Sequence, residues 1–274
     1  MLKPKRSILN WVLVVATAVA ALLFPALTSF SQVAIAEVAP TQSPTPSATE
    51  TPSPTATPTV TPTPTPTGFN PALYSIATPG SLWVVVDKKR PLNPKSYVPK
   101  NLVTTRFDDG AGLNPYKIRM AKPASTAIKK MATAMKSAKA GTLVLSSTYR
   151  SYTTQVAVHA KDVAALGLKA GENLAARPGY SEHQTGLAAD LSASGQGCVI
   201  QVCFSKTKAG KWLAANAWQF GFILRYPNGA TPVTGYQFEP WHYRYVGVEL
   251  STQMHVTGIG VLETFFGLPA APTY

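Results

Sequence analysis

From Trp11 to Phe24 every position but Thr17 is apolar, and no charge occurs between Ile8 and Ala36. Lys3, Lys5 and Arg6 precede this run and Ala34-Ile35-Ala36 closes it, the layout of a secretory signal peptide over residues 1–36. Left uncleaved, the same segment would serve as a membrane anchor. Residues 37–68 then lose all periodicity and become Pro, Thr and Ser, as in Thr61-Pro62-Thr63-Pro64-Thr65-Pro66. Alternating prolines favour an extended polyproline stalk rising ~3.1 Å per residue, although a plain disordered spacer has the same composition.

Helical and strand periods appear only in residues 69–274, a length suited to one compact domain. Leu82-Trp83-Val84-Val85-Val86 reads as a buried strand. Between Pro123 and Ala138, the residues Ala127, Ile128, Met131, Ala132 and Met135 fall on one helical face, with Lys129, Lys130 and Lys136 outward. Thr142 to Ser147 reads as a strand that delivers Tyr149 and Arg150. Thr153 or Thr154 is placed to cap a following helix through Val156, Ala160 and Val163, ending at Gly167. Leu187 to Leu191 alternates as a strand, with Ala188 and Asp190 on one face. Lys208 to Phe220 forms a helix with Trp212, Leu213, Ala217 and Phe220 inward, and Phe222 to Tyr226 a strand ending at Pro227-Asn228-Gly229. Gln237 to Val246 is extended, since Pro240 opposes a helix. These elements do not alternate as βαβ units, which predicts an α+β domain with a small, mainly antiparallel sheet and flanking helices.

The formal charge of +13 includes the three cations ahead of the apolar run, so the remainder stays basic. Such a surface is drawn to anionic wall polymers or lipid headgroups, or serves solubility alone. Nucleic acid is excluded as a partner by the export signal and the lack of a compact basic and aromatic motif. Contact with the membrane is expected only if the N-terminal segment is retained, and a secreted or cell-surface monomer is expected. The two cysteines, Cys198 and Cys203, are most simply a disulfide in that compartment.

The chemistry concentrates in Ser181-Glu182-His183-Gln184-Thr185-Gly186-Leu187-Ala188-Ala189-Asp190 and Glu239-Pro240-Trp241-His242. Taken singly, His183 or Asp190 is better explained as a paired core residue. Together, His183, Asp190 and His242 form a set of two imidazoles and one carboxylate that suits one catalytic Zn²⁺ and leaves its fourth position for water. Glu239 is the candidate general base. An ideal strand would turn it away from His242, so Pro240 must bend the backbone if both address one metal. Arg150 is a candidate clamp for a carboxylate or an oxyanion, or else a neutraliser of Asp190. Gln155 faces the same cleft or solvent, and Ser181 orients the turn before His183 or binds substrate. His159 and His255 lack ligand spacing and are not assigned to the metal.

Tyr149-Arg150-Ser151 with Gln155, Ser181 to Asp190, and Glu239 to Val246 together resemble the VanY-like D-alanyl-D-alanine carboxypeptidases. Val86 to Leu92 and Tyr97-Val98-Pro99 are similar to the segment that opens that family's domain. The resemblance implies the compact fold shared with the hedgehog signalling domain, and a zinc peptidase that trims the terminal D-alanine of peptidoglycan stem peptides. It implies His183, Asp190 and His242 as ligands, Glu239 as base and Arg150 as a catalytic and substrate-binding residue. Gln155, Ser181, Trp241 and Arg244 are further candidates for substrate contact, with the free carboxylate left to Arg150 or Arg244. Dipeptidases, L,D-carboxypeptidases and wall endopeptidases share the metal set, so the bond cleaved stays open. A non-catalytic zinc-containing wall-binding module is a more distant alternative, disfavoured by a carboxylate at Glu239 that a closed structural site does not need. The Cys198–Cys203 loop departs from the family pattern.

Overall fold

The computed structural model describes residues 68–274; the proposed signal segment and nearly all of the stalk lie outside them. In chain order the elements are β1 (Leu102–Thr104), β2 (Gly112–Leu113), β3 (Arg119–Ala121), α1 (Lys122–Ser137), β4 (Leu143–Ser147), α2 (Tyr152–Leu166) and α3 (Leu168–Leu174). They continue with β5 (Ala188–Ala193), α4 (Lys208–Asn216), β6 (Phe222–Leu224), α5 (Thr231–Thr234), β7 (His242–Tyr245), α6 (Val248–Thr257) and α7 (Leu262–Phe265). Short 3₁₀ turns occupy Glu182–Thr185, Val202–Lys206 and Ala217–Phe220. Among the described residues no helix is long and apolar enough to cross a membrane.

Five strands form one sheet in the order β2-β4-β5-β7-β6, and β1 pairs with β3 in a separate ribbon. All neighbours in the large sheet run antiparallel except β2 and β4, giving the expected α+β architecture. β5 is its central strand and is buried at every position. Its alternation sends Leu187, Ala189, Leu191 and Ala193 into the main core, where Ile128, Met131 and Met135 of α1 meet them. α1 buries Ala124, Ser125, Ile128, Met131, Ala132 and Met135 at helical spacing, as its periodicity requires, while Ala127 lies at the edge of that face. Pro123 fits its first turn, where no intrahelical N–H bond is lost.

Several expectations are corrected. Leu82 to Val86 is buried from Trp83 onward, but it is not a strand. Its polar groups are met one at a time: Val85 N–H donates to Ile76 O at 2.9 Å, and the carbonyls of Leu82 and Val84 accept from Arg244 Nη2 at 3.0 and 2.9 Å. An apolar run signals burial, and here side chains and loops supply the partners that a ladder would. α2 is capped by Ser151, whose Oγ accepts from Thr154 N–H at 3.1 Å, rather than by Thr153 or Thr154. It leaves Val156 and Ala160 exposed and buries Gln155, so this helix forms a rim and not a core layer. α4 tightens into a 3₁₀ turn after Asn216 before stopping at left-handed Gly221. Pro240 and Trp241 form a turn, and strand pairing begins only at His242.

Gly186 ends the turn that carries His183 with φ +70°, and a Cβ there would lie 2.9 Å from Leu102 Cδ2 and 3.1 Å from Ala121 N. Gly186→Ala therefore combines left-handed strain with crowding. It is expected to lower unfolding free energy by about 1–3 kcal/mol, read by denaturant titration.

Candidate active site

Strand register brings the first two groups together. Asp190 of β5 pairs directly with His242 of β7, and β4 ends with Ser147 opposite Asp190. His183 arrives from the Glu182–Thr185 turn, where its carbonyl accepts from Arg150 N–H at 3.2 Å and Gly186 N–H at 3.1 Å. Its Nδ1 lies 2.6 Å from Thr148 O. A carbonyl only accepts, so Nδ1 carries the proton and Nε2 presents a lone pair. That Nε2 is 3.3 Å from Asp190 Oδ2, and His242 Nδ1 is 3.3 Å from Asp190 Oδ1. The imidazole rings stand edge to face with centroids 4.9 Å apart.

One ligand atom from each of His183, Asp190 and His242 lies within 4.8 Å of the others. His183 Nε2 and Asp190 Oδ1 are buried without a hydrogen-bonding partner. Two such atoms converging on one point are costly unless a cation joins them. Burial, then the charge of Arg150, lower the pKa of His183 and keep it in the neutral form that ligates. Burial opposes the charge on Asp190, but His183 and His242 outweigh it and hold the carboxyl well below the usual range. Burial also disfavours the charge on His242, which Asp190 and Glu182 nevertheless lift to about 9, so binding a dication there displaces a proton. Two nitrogens and a carboxylate oxygen fit zinc, and when bound it supplies Lewis-acid chemistry, polarising a carbonyl and lowering the pKa of water to about 7.

Pro240 makes the bend required of it. His242 N–H donates to Glu239 O at 3.0 Å, closing a turn that returns the Glu239 carboxylate to within 3.5 Å of His242 Nδ1. Burial pushes Glu239 up to about 8, against the opposing charges of His242 and Arg150, which suits a group that must take a proton and give it back. Arg150 is half-buried, and its buried Nε lacks a hydrogen-bonding partner. A cleft of about 300 Å³ is lined by Arg150, Ser181, Glu239, Trp241 and the candidate ligands His183, Asp190 and His242.

Two candidates change role. Arg244 is fully buried, with Nη1 on Glu182 Oε1 at 2.8 Å and its other donors on backbone carbonyls, so it does not reach substrate. Gln155 is likewise buried and donates to Ala176 O at 2.8 Å, tying α2 to the segment after α3, while its Oε1 is buried without a hydrogen-bonding partner. Ser181 does line it, but its side chain caps nothing. Trp241 lines it with most of its ring in the core. His159 sits 3.4 Å from Glu172 and His255 stacks on Trp218, both away from the ligands. Cys198 and Cys203 are joined.

Sequence reasoning missed Glu182, Tyr226 and Tyr236. Tyr226 and Tyr236 line the cleft, and Tyr226 packs on the His242 ring at 4.8 Å. Glu182 accepts from Arg225 Nε and Arg244 Nη1, both at 2.8 Å, and its Oε2 lies 3.5 Å from His242 Nε2. Arg225 in turn makes a two-pronged pair with Glu263 at 2.6 and 2.9 Å. All four side chains are inaccessible to solvent. The signal was present in Arg225 and Arg244, cations inside apolar runs that burial would force to find carboxylates.

Comparison with known proteins agrees with this geometry. The sequence profile of the family described as VanY, D-alanyl-D-alanine carboxypeptidase, matches residues 117–248. YodJ of Bacillus subtilis is 37% identical over 195 residues, covering 71% of this chain and 70% of that protein. The LdcB LD-carboxypeptidase structure superposes with a TM-score of 0.62 at 34% identity, over 69% of this chain and 87% of that one. A zinc complex of the vancomycin-resistance D,D-pentapeptidase VanY gives 0.55 at 31% identity, over 68% and 98%. With this fold and a candidate metal site on it, the chain belongs to the VanY family of D-alanyl-D-alanine carboxypeptidases.

Proposed function

We propose that this chain is a zinc carboxypeptidase that removes the terminal D-alanine from peptidoglycan stem peptides outside the cytoplasmic membrane, with one Zn²⁺ held by His183, Asp190 and His242. The observation that carries the reading is Glu239, a buried carboxylate beside the ligand triad and raised to about 8. Its carboxylate oxygen takes a proton from the attacking water and passes it to the departing amine as the peptide bond breaks. Arg150, the half-open cation of the cleft beside His183, binds the substrate's free carboxylate or steadies the oxyanion that develops on the scissile carbonyl. Tyr226 fixes the His242 ring from one side. The basic surface favours anionic wall polymers as surroundings, and the N-terminal apolar segment favours export.

The likeness to the LdcB LD-carboxypeptidase favours a second reading in which the released D-alanine follows an L-centre. Mass analysis of products from a pentapeptide ending in D-Ala-D-Ala and from the matching tetrapeptide separates the two. Release of one alanine from the pentapeptide, abolished by a chelator and restored by zinc, is expected. Cleavage of the tetrapeptide alone would transfer the assignment to the L,D bond, and chelator-resistant release would remove zinc from the reaction.

A further inference from the structure

The loop closed by Cys198 and Cys203 has an unusual make-up for a surface staple. Val199, Ile200 and Val202 are 51%, 43% and 52% exposed, so a six-residue ring presents three β-branched aliphatics outward. Cys198 and Ile200 both take left-handed backbone, at φ +55° and +51°, next to left-handed Gly195 and Gly197. A β-branched residue in that region is strained, and such strain persists only where the surroundings fix it. The base of the loop is fixed on both sides. Gln196 donates to Ala140 O at 2.6 Å and accepts from Ala209 N–H at 3.0 Å, and Phe204 is fully buried in the main core.

Of the three aliphatics only Ile200 lines the catalytic cleft, which it shares with Val158, Lys161 and Asp162 of α2. A cleft of about 300 Å³ accommodates the end of a peptide, and the remainder of a stem peptide must run out over its rim. With the substrate's free carboxylate directed to Arg150, the rim receives residues on the acyl side of the scissile bond. Resting on the carboxypeptidase reading above, we infer that Ile200, held out by the disulfide-closed loop, is a specificity-determining contact for the alkyl chain of the stem-peptide residue that precedes D-Ala-D-Ala.

The test compares L-Ala-γ-D-Glu-L-Lys-D-Ala-D-Ala with the same peptide carrying glycine in place of lysine, on zinc-loaded full-length protein. Both cleavage kinetics and calorimetric binding are read. The parent is expected to favour the lysine peptide, and Ile200→Ser to raise KM for it about tenfold with kcat, zinc content and the glycine peptide unaffected. Ile200→Gly accepts the left-handed backbone without strain, so a merely structural role predicts unchanged or improved behaviour. The inference predicts the same loss of lysine preference as in Ile200→Ser. Equal preference in the parent and both variants overturns the assignment to Ile200, as does an equal loss on both peptides. If the parent cleaves neither peptide, the carboxypeptidase reading fails, and the binding comparison still decides the role of Ile200.

Discussion

Glu239→Gln is expected to lower kcat by about 10²–10⁴-fold while zinc stays bound at the parent stoichiometry. The amide keeps the size of the side chain in its buried turn but cannot take a proton from water, and His183, Asp190 and His242 are untouched. Steady-state hydrolysis of a D-Ala-D-Ala pentapeptide together with metal analysis checks both halves. Turnover within threefold of the parent would remove Glu239 from the base role. A matching loss of metal would instead place it among the ligands.

Glu182→Gln is expected to be the most damaging change outside the ligand set. It leaves the buried Arg244 guanidinium without its carboxylate and takes from Arg225 one of two anions. Removing one partner of a buried charge network costs about 3–5 kcal/mol. For a domain of this size that lowers Tm by on the order of 10 °C, at ~2–4 °C per kcal/mol. Because Glu182 Oε2 faces His242 Nε2, zinc affinity should fall by about 10–100-fold as well. The pH dependence has a definite sign. Burial opposes the charge of Glu182, yet Arg225 and Arg244 hold its carboxyl far below the ordinary range. Its stabilisation is therefore fully present above the unfolded value of about 4.3 and fades as pH falls toward the folded one. Calorimetric melts of parent and variant should accordingly converge in acid. A constant gap down to low pH would show that the loss arises from packing rather than charge.

The convergence of His183, Asp190 and His242 on one candidate metal site was legible because its chemistry is local to short motifs and its donor types have few other uses in combination. The bend at Pro240 was legible too, since two groups three residues apart cannot otherwise share a face of an extended chain. α1 and β5 followed from periodicity, which records one-sided or two-sided burial directly. The role of Arg244 was not legible. An arginine in a motif beside a metal ligand looks like a substrate clamp until the fold shows Glu182 and the carbonyls of Leu82 and Val84 around it. Leu82 to Val86 misled for the same reason, since the donor to its Leu82 and Val84 carbonyls lies 162 and 160 residues away and leaves no periodic trace.

The contact between Arg244 and those two carbonyls also governs where this chain can be shortened. A recombinant fragment cut to the span matched by the family profile, 117–248, would keep His183, Asp190, Glu239 and His242. It would nevertheless discard Leu82, Val84 and Glu263. Arg244 Nη2 and the forked end of Arg225 would then point at nothing, immediately behind the carboxylate that steadies His242. The smallest working enzyme must therefore begin before Leu82 and run past Glu263, well beyond the motifs that define its family.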